Sequence, residues 1–269
     1  MEYKMPKRVQ NSHKGTYGRV LNVSGSDYMS GAALLSSLSP LKVGCGYVFL
    51  CSGERVITAV SAQTQNIVFA PLEDLENQIK QADVLLVGCG LSTNDTAVEV
   101  FEKCLKTVGN IPVIIDADGL NILAKGDYKN LPEKLILTPH PKEAARLLGV
   151  STEEILSDTK HAARQISEKY GCVTVLKSHK TVVCSKDFEI YENNTGNSSL
   201  AKAGSGDVLS GIIAGLIAQK CEIFYGAKLG VYLHGLCGEL ASEELTEYGV
   251  LAIDQIEYIP KAIKVVLKP

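Results

Sequence analysis

The richest chemistry in the chain runs from Asn193-Asn194-Thr195-Gly196 to Ala203-Gly204-Ser205-Gly206-Asp207, at the head of an apolar helix expected over Asp207–Gln219. Small residues allow the backbone N–H groups of Gly204, Ser205 and Gly206 to turn together toward an anion such as a phosphate. The N-terminus of the following helix adds partial positive charge. Asp207, in the first turn of that helix, can take a proton from a hydroxyl lying beside the phosphate. A general base next to an anion hole is what in-line phosphoryl transfer to an alcohol requires. The same residues also read as a plain glycine turn with Asp207 as a helix N-cap. The upstream NNTG and the small residues Gly211 and Gly215 of the helix favour the functional reading.

The elements that must position these residues follow from the hydrophobic pattern. Apolar runs at Val20–Ser24, Tyr47–Cys51, Val84–Gly88, Val113–Asp116, Leu135–Thr138 and Cys172–Lys177 have the length and β-branched content of strands covered on both faces. Helical patterns intervene at Gly31–Val43, Leu72–Ala82, Thr96–Thr107, Lys142–Leu148 and Thr152–Tyr170. This alternation implies an α/β fold with a mostly parallel central sheet and helices on both faces. Thr181–Ser185 and Phe188–Glu192, joined by Lys186-Asp187, read as a short antiparallel hairpin at a sheet edge. Helices at Asp207–Gln219, Phe224–Leu245 and Ile253–Leu267 close the chain. No linker, low-complexity tract or repeat divides it, so one domain over residues 1–269 is expected.

In open sheets of this kind ligands bind beyond the carboxyl ends of the strands. Glycine and polar clusters stand at those ends: Gly25-Ser26-Asp27, Gly88-Cys89-Gly90, Asp116-Ala117-Asp118, Thr138-Pro139-His140-Pro141 and Lys177-Ser178-His179-Lys180-Thr181. His140 is singled out for ligand contact because prolines on both sides fix its backbone at a strand end. His161, in a charged helix, is expected to be solvated, and His234, in an apolar one, to be a satisfied core histidine. No Walker A, HExxH, GxSxG or GxGxxG sequence occurs, which removes P-loop NTPases, zincins, α/β-hydrolases and standard Rossmann dinucleotide enzymes as first choices.

The bulk properties exclude further classes. A net charge of −3 and a pI near 6.0 give no electrostatic footprint for nucleic acid. The most apolar stretch, Val208–Ala218, is too short to span a bilayer, and no apolar run follows the basic N-terminus, so neither a membrane nor a secretory signal is implied. Eight cysteines are scattered through apolar segments without a CxxC pair and read as reduced core thiols of a cytoplasmic protein.

From about His13 to Ile259 the chain resembles the ADP/ATP-dependent NAD(P)H-hydrate dehydratases, a branch of the ribokinase-like superfamily. The matching segments are HKGTYGRVLNVSGSDYMSGAALL, VLLVGCGLS, VIIDADGLNIL, LILTPHPKEAARLLG, VLKSHKTVV, NNTGNSSLAKAGSGDVLSGIIAGLIAQ and VYLHGLCGELA. The pair LTPHPKE and NNTGN…GSGD at this separation carries most of the specificity. The resemblance implies a repair lyase acting on S-epimer NADH hydrate and NADPH hydrate. A nucleoside di- or triphosphate, ADP or ATP, phosphorylates the C6 hydroxyl of the substrate, and loss of phosphate restores the dihydronicotinamide. Asp207 would be the base and Gly204–Gly206 the anion hole. Ala32 or Ala33, Gly90, His140 and Asp207 would touch the hydrate, while Lys177, Ser178, His179, Lys180, Thr181 and Gly206 would hold the adenine nucleotide. Mg²⁺ is implied, with Glu143 as an indirect contact. Relatives self-associate, so a homo-oligomer is expected, with Val231–Leu240 and the C-terminal helix as interface candidates. Many relatives carry a fused hydrate epimerase domain; here that activity is expected on a separate protein.

The chain departs from the family pattern at several places. Cys89 replaces a proline, Ser178 replaces a glycine, Gln65-Asn66 stands where a Pro-Glu pair is common, and Pro40 falls inside a helix it is expected to kink. Two other functions fit the same residues: a ribokinase-like kinase of a small hydroxymethyl or hydroxyethyl heterocycle, and a nucleotide-sensing module without turnover. LTPHPKE and GAALL favour the dehydratase.

Overall fold

The computed structural model describes residues 3–268. Its centre is a nine-stranded sheet: β1 (Arg19–Val23), β2 (Tyr47–Ser52), β3 (Val68–Pro71), β4 (Val84–Val87), β5 (Val113–Ile115), β6 (Leu135–Leu137), β7 (Val173–Leu176), β8 (Val182–Cys184) and β9 (Ile190–Glu192), in the order β3-β2-β1-β4-β5-β6-β7-β8-β9. The first seven strands pair in parallel, and β7, β8 and β9 pair antiparallel, which is the edge hairpin read from the sequence. The chain builds outward from β1 to β3, then returns to lay β4 on the other side of β1. That reversal is the switch point of the fold.

Eleven helices surround the sheet among the described residues: α1 (Ser30–Lys42), α2 (Glu54–Ser61), α3 (Leu75–Gln81), α4 (Asp95–Thr107), α5 (Asp118–Lys125), α6 (Pro141–Leu148), α7 (Thr152–Ser157), α8 (Thr159–Tyr170), α9 (Ser205–Ala218), α10 (Ile223–Gly249) and α11 (Ala252–Leu267). Side chains alternate across the sheet. Leu21, Val23, Leu85, Val87 and Ile115 pack with Leu75, Phe101, Leu120 and Ala163 on one face. Val20, Val84, Leu86, Ile114 and Val175 pack with Leu209, Ile213 and Ala227 on the other. The central strands are therefore largely apolar on both sides, the reason they read as continuous apolar runs.

Four expectations about elements are corrected. The strand β3 and the helices α2 and α5 were absent from the periodicity reading, because each is short and carries few apolar repeats. The stretch Leu72–Ala82 is a 3₁₀ turn, Leu72–Asp74, followed by α3. Thr152–Tyr170 is two helices, because the Asp158 side chain accepts from the His161 N–H at 2.9 Å and caps a new helix there. The helix expected to end at Leu245 runs on to Gly249 through a kink at Thr246, whose φ is 62°.

Pro40 does not break α1, which continues to Lys42. It removes one i→i−4 hydrogen bond near the C-terminal end, where only Leu41 and Lys42 follow in the helix, and it is buried against α9. Gly211 and Gly215 make this contact possible: a Cβ on Gly211 would stand 2.8 Å from the Ser36 carbonyl oxygen, and one on Gly215 would stand 2.7 Å from Pro40 Cα. The small residues of the GSGD helix are thus packing residues. Val231–Leu240, expected as an interface, is consumed instead in the packing of α10 inside the fold, with Leu233, Gly235, Cys237 and Gly238 buried. Seven cysteines are buried and free, as expected of core thiols, and Cys221 is half-buried. No helix among the described residues is long and apolar enough to cross a membrane.

Gly211→Val is expected to overpack the α1–α9 contact and cost about 1–3 kcal/mol. Thermal denaturation should show a melting point lowered by several degrees. Gly31→Ala, at a glycine with open space around it, should leave the melting point unchanged or slightly raised.

Candidate active site

The carboxyl ends of β4, β5 and β7 and the N-terminus of α9 meet at one point. Gly88 follows β4 with φ 118°, and a Cβ there would lie 2.1 Å from the Asp116 carbonyl oxygen, so only glycine lets the loops after β4 and β5 touch. The next turn is strained, since Ala117 holds φ 48° and ψ −116°. A conformation this rare for a residue with a Cβ costs of order 1–3 kcal/mol and persists only where its surroundings enforce it. Asp116, just before it, is so enforced. It is buried, with Lys177 Nζ donating to Oδ1 at 2.7 Å and Ser210 Oγ to Oδ2 at 2.6 Å.

Burial alone would keep Asp116 protonated, but Lys177, Ser210 and Thr138 overcome it and hold the carboxyl below the usual carboxylate range. For Lys177 burial likewise opposes charge, and Asp116 and Glu143 more than restore it, holding its pKa above the ordinary value. The pair is therefore ionised and enclosed.

Asp207 lies against it. The Cys89 sulfur and carboxylate oxygens of Asp116 and Asp207 all fall within 4.8 Å of one another, with Cys89 Sγ 3.9 Å from Asp116 Oδ2. Burial and the Asp116 charge push the Asp207 carboxyl up to about 7, against smaller lowering by Cys89 and Lys177. Burial, Asp207 and Asp116 also keep the Cys89 thiol well above its usual pKa, so it is a neutral neighbour and not a nucleophile. An acid poised near neutrality changes protonation state with little driving force in either direction, as a general base must.

The anion-hole residues separate on inspection. Gly204, with φ 91°, is the N-cap of α9, and the Ser205 N–H is already committed to the Lys202 carbonyl at 3.2 Å. The N–H groups of Gly204 and Gly206 make no hydrogen bond to the described residues. Lys177 borders the same turn: a Cβ on Gly206 would stand 3.3 Å from its Nζ. The Ser205 hydroxyl instead donates to Gln255 Oε1 at 3.1 Å and lies 3.1 Å from His234 Nε2. His234 is the satisfied buried histidine expected, its pKa lowered to about 4 by burial.

The expected nucleotide residues line two adjoining cavities beside α9, of about 510 and 360 Å³. Lys177, Ser178 and Thr181 border both, His179 borders the larger and Gly206 the smaller. Lys180 is exposed in the same loop, with its carbonyl accepting from Ser178 Oγ at 2.7 Å. The NNTG segment forms the far wall and rests on α10, where a Cβ on Gly235 would collide with Thr195. Gly196 N–H donates to Glu239 at 2.7 Å, so part of that motif serves to anchor the loop.

His140 borders the smaller cavity, and its Nδ1 accepts from the N–H groups of Lys142 and Glu143 at 3.1 and 3.2 Å. Glu143 returns a bond from the His140 N–H at 2.8 Å and lies 4.0 Å from Lys177 Nζ. Burial, with the Asp116 charge adding to it, pushes the Glu143 carboxyl up to about 7 against the lowering by Lys177. Ala32 and Gly90 are brought together, a Cβ on Gly90 reaching 2.8 Å from that of Ala32. Ala33 is fully buried with Leu50 and Val56 and does not face the site. Sequence reasoning assigned no role to Asp116, Ser210 or Thr138. The DAD cluster at the end of β5 was the available signal, but only the strand order brings it under Asp207.

A carboxyl group at a helix N-terminus beside an ionised lysine and two free N–H groups has the chemistry that phosphoryl transfer to a hydroxyl needs, and similarity to known proteins narrows the class. The sequence profile of the NAD(P)H-hydrate dehydratase family matches residues 20–261. An ADP-dependent (S)-NAD(P)H-hydrate dehydratase of Neisseria meningitidis is 42% identical over 243 residues, covering 88% of this chain and 81% of the relative. The bifunctional NAD(P)H-hydrate repair enzyme Nnr of Coxiella burnetii is 36% identical over 95% of this chain, which spans about half (52%) of that relative's length. A crystal structure of the ADP/ATP-dependent NAD(P)H-hydrate dehydratase of Bacillus subtilis, co-crystallised with ATP/Mg²⁺, superposes with a TM-score of 0.89 at 31% identity, over 97% of this chain and 94% of the other. With the sequence profile, the curated relatives and the superposed fold all in agreement, the chain belongs to the NAD(P)H-hydrate dehydratase family, within the ribokinase-like fold.

Proposed function

We propose that the chain dehydrates S-epimer NADH hydrate and NADPH hydrate at the expense of ADP or ATP. The observation that carries this reading is the Asp207 carboxyl, raised to about 7 at the N-terminus of α9 and flanked by Lys177 and unused backbone N–H groups. Asp207 takes the proton of the C6 hydroxyl as its oxygen bonds to the terminal phosphorus of the nucleotide. The bond from that phosphorus to the bridging oxygen breaks, leaving AMP from ADP or ADP from ATP. The C6–O bond then breaks with its electron pair going to phosphate, pushed by the ring nitrogen. Loss of a proton from C5 restores the double bond. Lys177 and the N–H groups of Gly204 and Gly206 meet the charge on the transferred phosphoryl group.

The adenine nucleotide occupies the cleft lined by Lys177, Ser178, His179, Thr181 and Gly206, with Lys180 at its rim. His140, Ala32 and Gly90 border the hydrate. Ala33, closed into the core, is left out, and the Ser205 N–H, already bonded, gives way to those of its glycine neighbours.

Mg²⁺, when bound, would neutralise nucleotide phosphate charge. The donor chemistry fits it on one side only. Asp116 has both oxygens engaged, and Cys89 is a soft donor unsuited to Mg²⁺. Glu143, the remaining carboxylate beside Lys177, has a nearly closed side chain (6% exposed), which suits contact through water. The reading also includes a dehydratase unit over residues 1–269, a cytoplasmic location, a hydrate epimerase as a separate partner activity, and self-association through surfaces other than the buried Val231–Leu240.

Mixing the protein with Mg²⁺, ADP and chemically hydrated NADH should restore the absorbance of the dihydronicotinamide, and a chelator should abolish the recovery. No recovery with either ADP or ATP, beside an active control enzyme, contradicts the proposal. Asp207→Asn should reduce turnover by about 10²–10⁴-fold while the melting curve stays cooperative. Undiminished turnover in that variant would remove Asp207 from the role of base.

A further inference from the structure

Gly204, Ser205 and Gly206 form the turn at the head of α9, and among them only Ser205 has a side chain. Glycine peptides rotate with little restraint, so the Ser205 hydroxyl is the one side-chain hold within the turn. It donates to Gln255 Oε1 at 3.1 Å, and His234 Nε2 lies 3.1 Å from both that oxygen and Ser205 Oγ. Three buried polar groups, from α9, α10 and α11, thus close a triangle. His234 is neutral, and with its proton on Nε2 both it and Ser205 donate to the one Gln255 oxygen. The helices that supply the triangle meet through apolar side chains, among them Val208, Leu233 and Ile256. A leucine at position 255 would suit that interface. The Gln255 amide instead leaves its Nε2 buried without a partner among the described residues. It therefore weakens the interface it sits in, and its use lies in the two bonds to its oxygen. It is not needed as a cap, because Asp254 accepts from the Leu251 N–H at 2.8 Å.

We propose that Gln255 is a positioning residue for phosphoryl transfer: through Ser205 and His234 it holds the α9 turn so that the Gly204 and Gly206 N–H groups aim at the transferred group. This role rests on the dehydratase reading above. The start of α11 backs the same turn, since a Cβ on Gly204 would stand 3.0 Å from that of Ala252. His234 also borders both nucleotide cavities and Ser205 the smaller, so the cleft wall and the turn share one hold. Charge on the phosphoryl oxygens shifts as transfer proceeds, so a misaimed N–H lowers kcat more than it raises KM.

Gln255→Leu removes the amide and keeps the volume, while Ser205 and His234 still face each other at 3.1 Å, so neither is orphaned. The melting point is expected to stay within a few degrees of the wild type, and kcat to fall about tenfold. KM for ADP and for hydrated NADH should stay within about twofold. Ser205→Ala should lose as much turnover, and the double variant no more than either single one. Ser205→Thr, which restores the hydroxyl, should keep wild-type turnover. Gln255→Met, unbranched like glutamine, repeats the test if the leucine variant does not fold. A second arm needs no hydrate. Calorimetry with ADP and Mg²⁺ should show aluminium fluoride, a mimic of the phosphoryl group in flight, tightening ADP binding by about tenfold or more. That tightening should appear in the wild type and Ser205→Thr and be lost in Gln255→Leu. Unchanged kcat in Gln255→Leu, a loss that only follows unfolding, or additive losses in the double variant overturns the role. So does fluoride tightening that is absent from the wild type or intact in Gln255→Leu. If the wild type lacks dehydratase activity, the proposed function falls, and the fluoride arm still decides the role of Gln255.

Discussion

The ion pair between Lys177 and the buried Asp116 is the constraint on which the site depends. The two residues leave the ends of β7 and β5, separated by β6, so a gap of about 10 Å must be crossed by side chains. Lysine has the length to do so, and its Nζ reaches Asp116 at 2.7 Å. Taking two charges out of water is costly, and geometry repays it only when the remaining lone pairs are also satisfied. Ser210 supplies that second bond from α9. Removing either charge would leave its partner buried and uncompensated, which is why both must be present for the loops to hold their shape.

From this pair the properties of the site follow. The Asp116 charge, together with burial, lifts Asp207 into the range where it is half ionised near neutrality, and Lys177 keeps it from rising further. The same ammonium group borders Gly206, at the turn where a phosphoryl group would develop charge. One lysine thus holds the strand-end carboxylate, moderates the base and faces the anion site. The Ala117 backbone strain belongs to the same arrangement, because it turns the chain sharply enough for Asp116 to point inward while Asp118 accepts from Ser92 N–H at 2.8 Å.

Much of this was legible in the sequence because parallel strands covered on both faces leave a plain apolar signal and end in glycine and polar clusters. The six central strands, the hairpin and the GSGD turn all announce themselves in that way. The elements that escaped are those whose signal is short: β3 is a half-exposed edge strand, and α2 and α5 have eight residues each. Asp116 was legible as part of a polar cluster at the ligand-binding edge, but its role was not, for a different reason. Its significance depends on which strand lies beside which, and local sequence does not encode the order β4-β5-β6-β7. Cys89 was read as a replacement for proline and no nucleophile; the structure adds its place between two carboxylates.

The central claim is that Asp207 titrates near neutrality because of its enclosed neighbours. Isotope-edited infrared spectroscopy of the ¹³C-aspartate-labelled protein, compared with the Asp207→Asn variant to identify its band, follows that carboxyl directly across pH. The account predicts a midpoint of about 7 in the wild type. In Asp116→Asn the midpoint moves lower, because the raising charge of Asp116 is gone while the lowering influence of Lys177 remains. A midpoint in the ordinary carboxylate range, or one unmoved by the loss of the Asp116 charge, would contradict it.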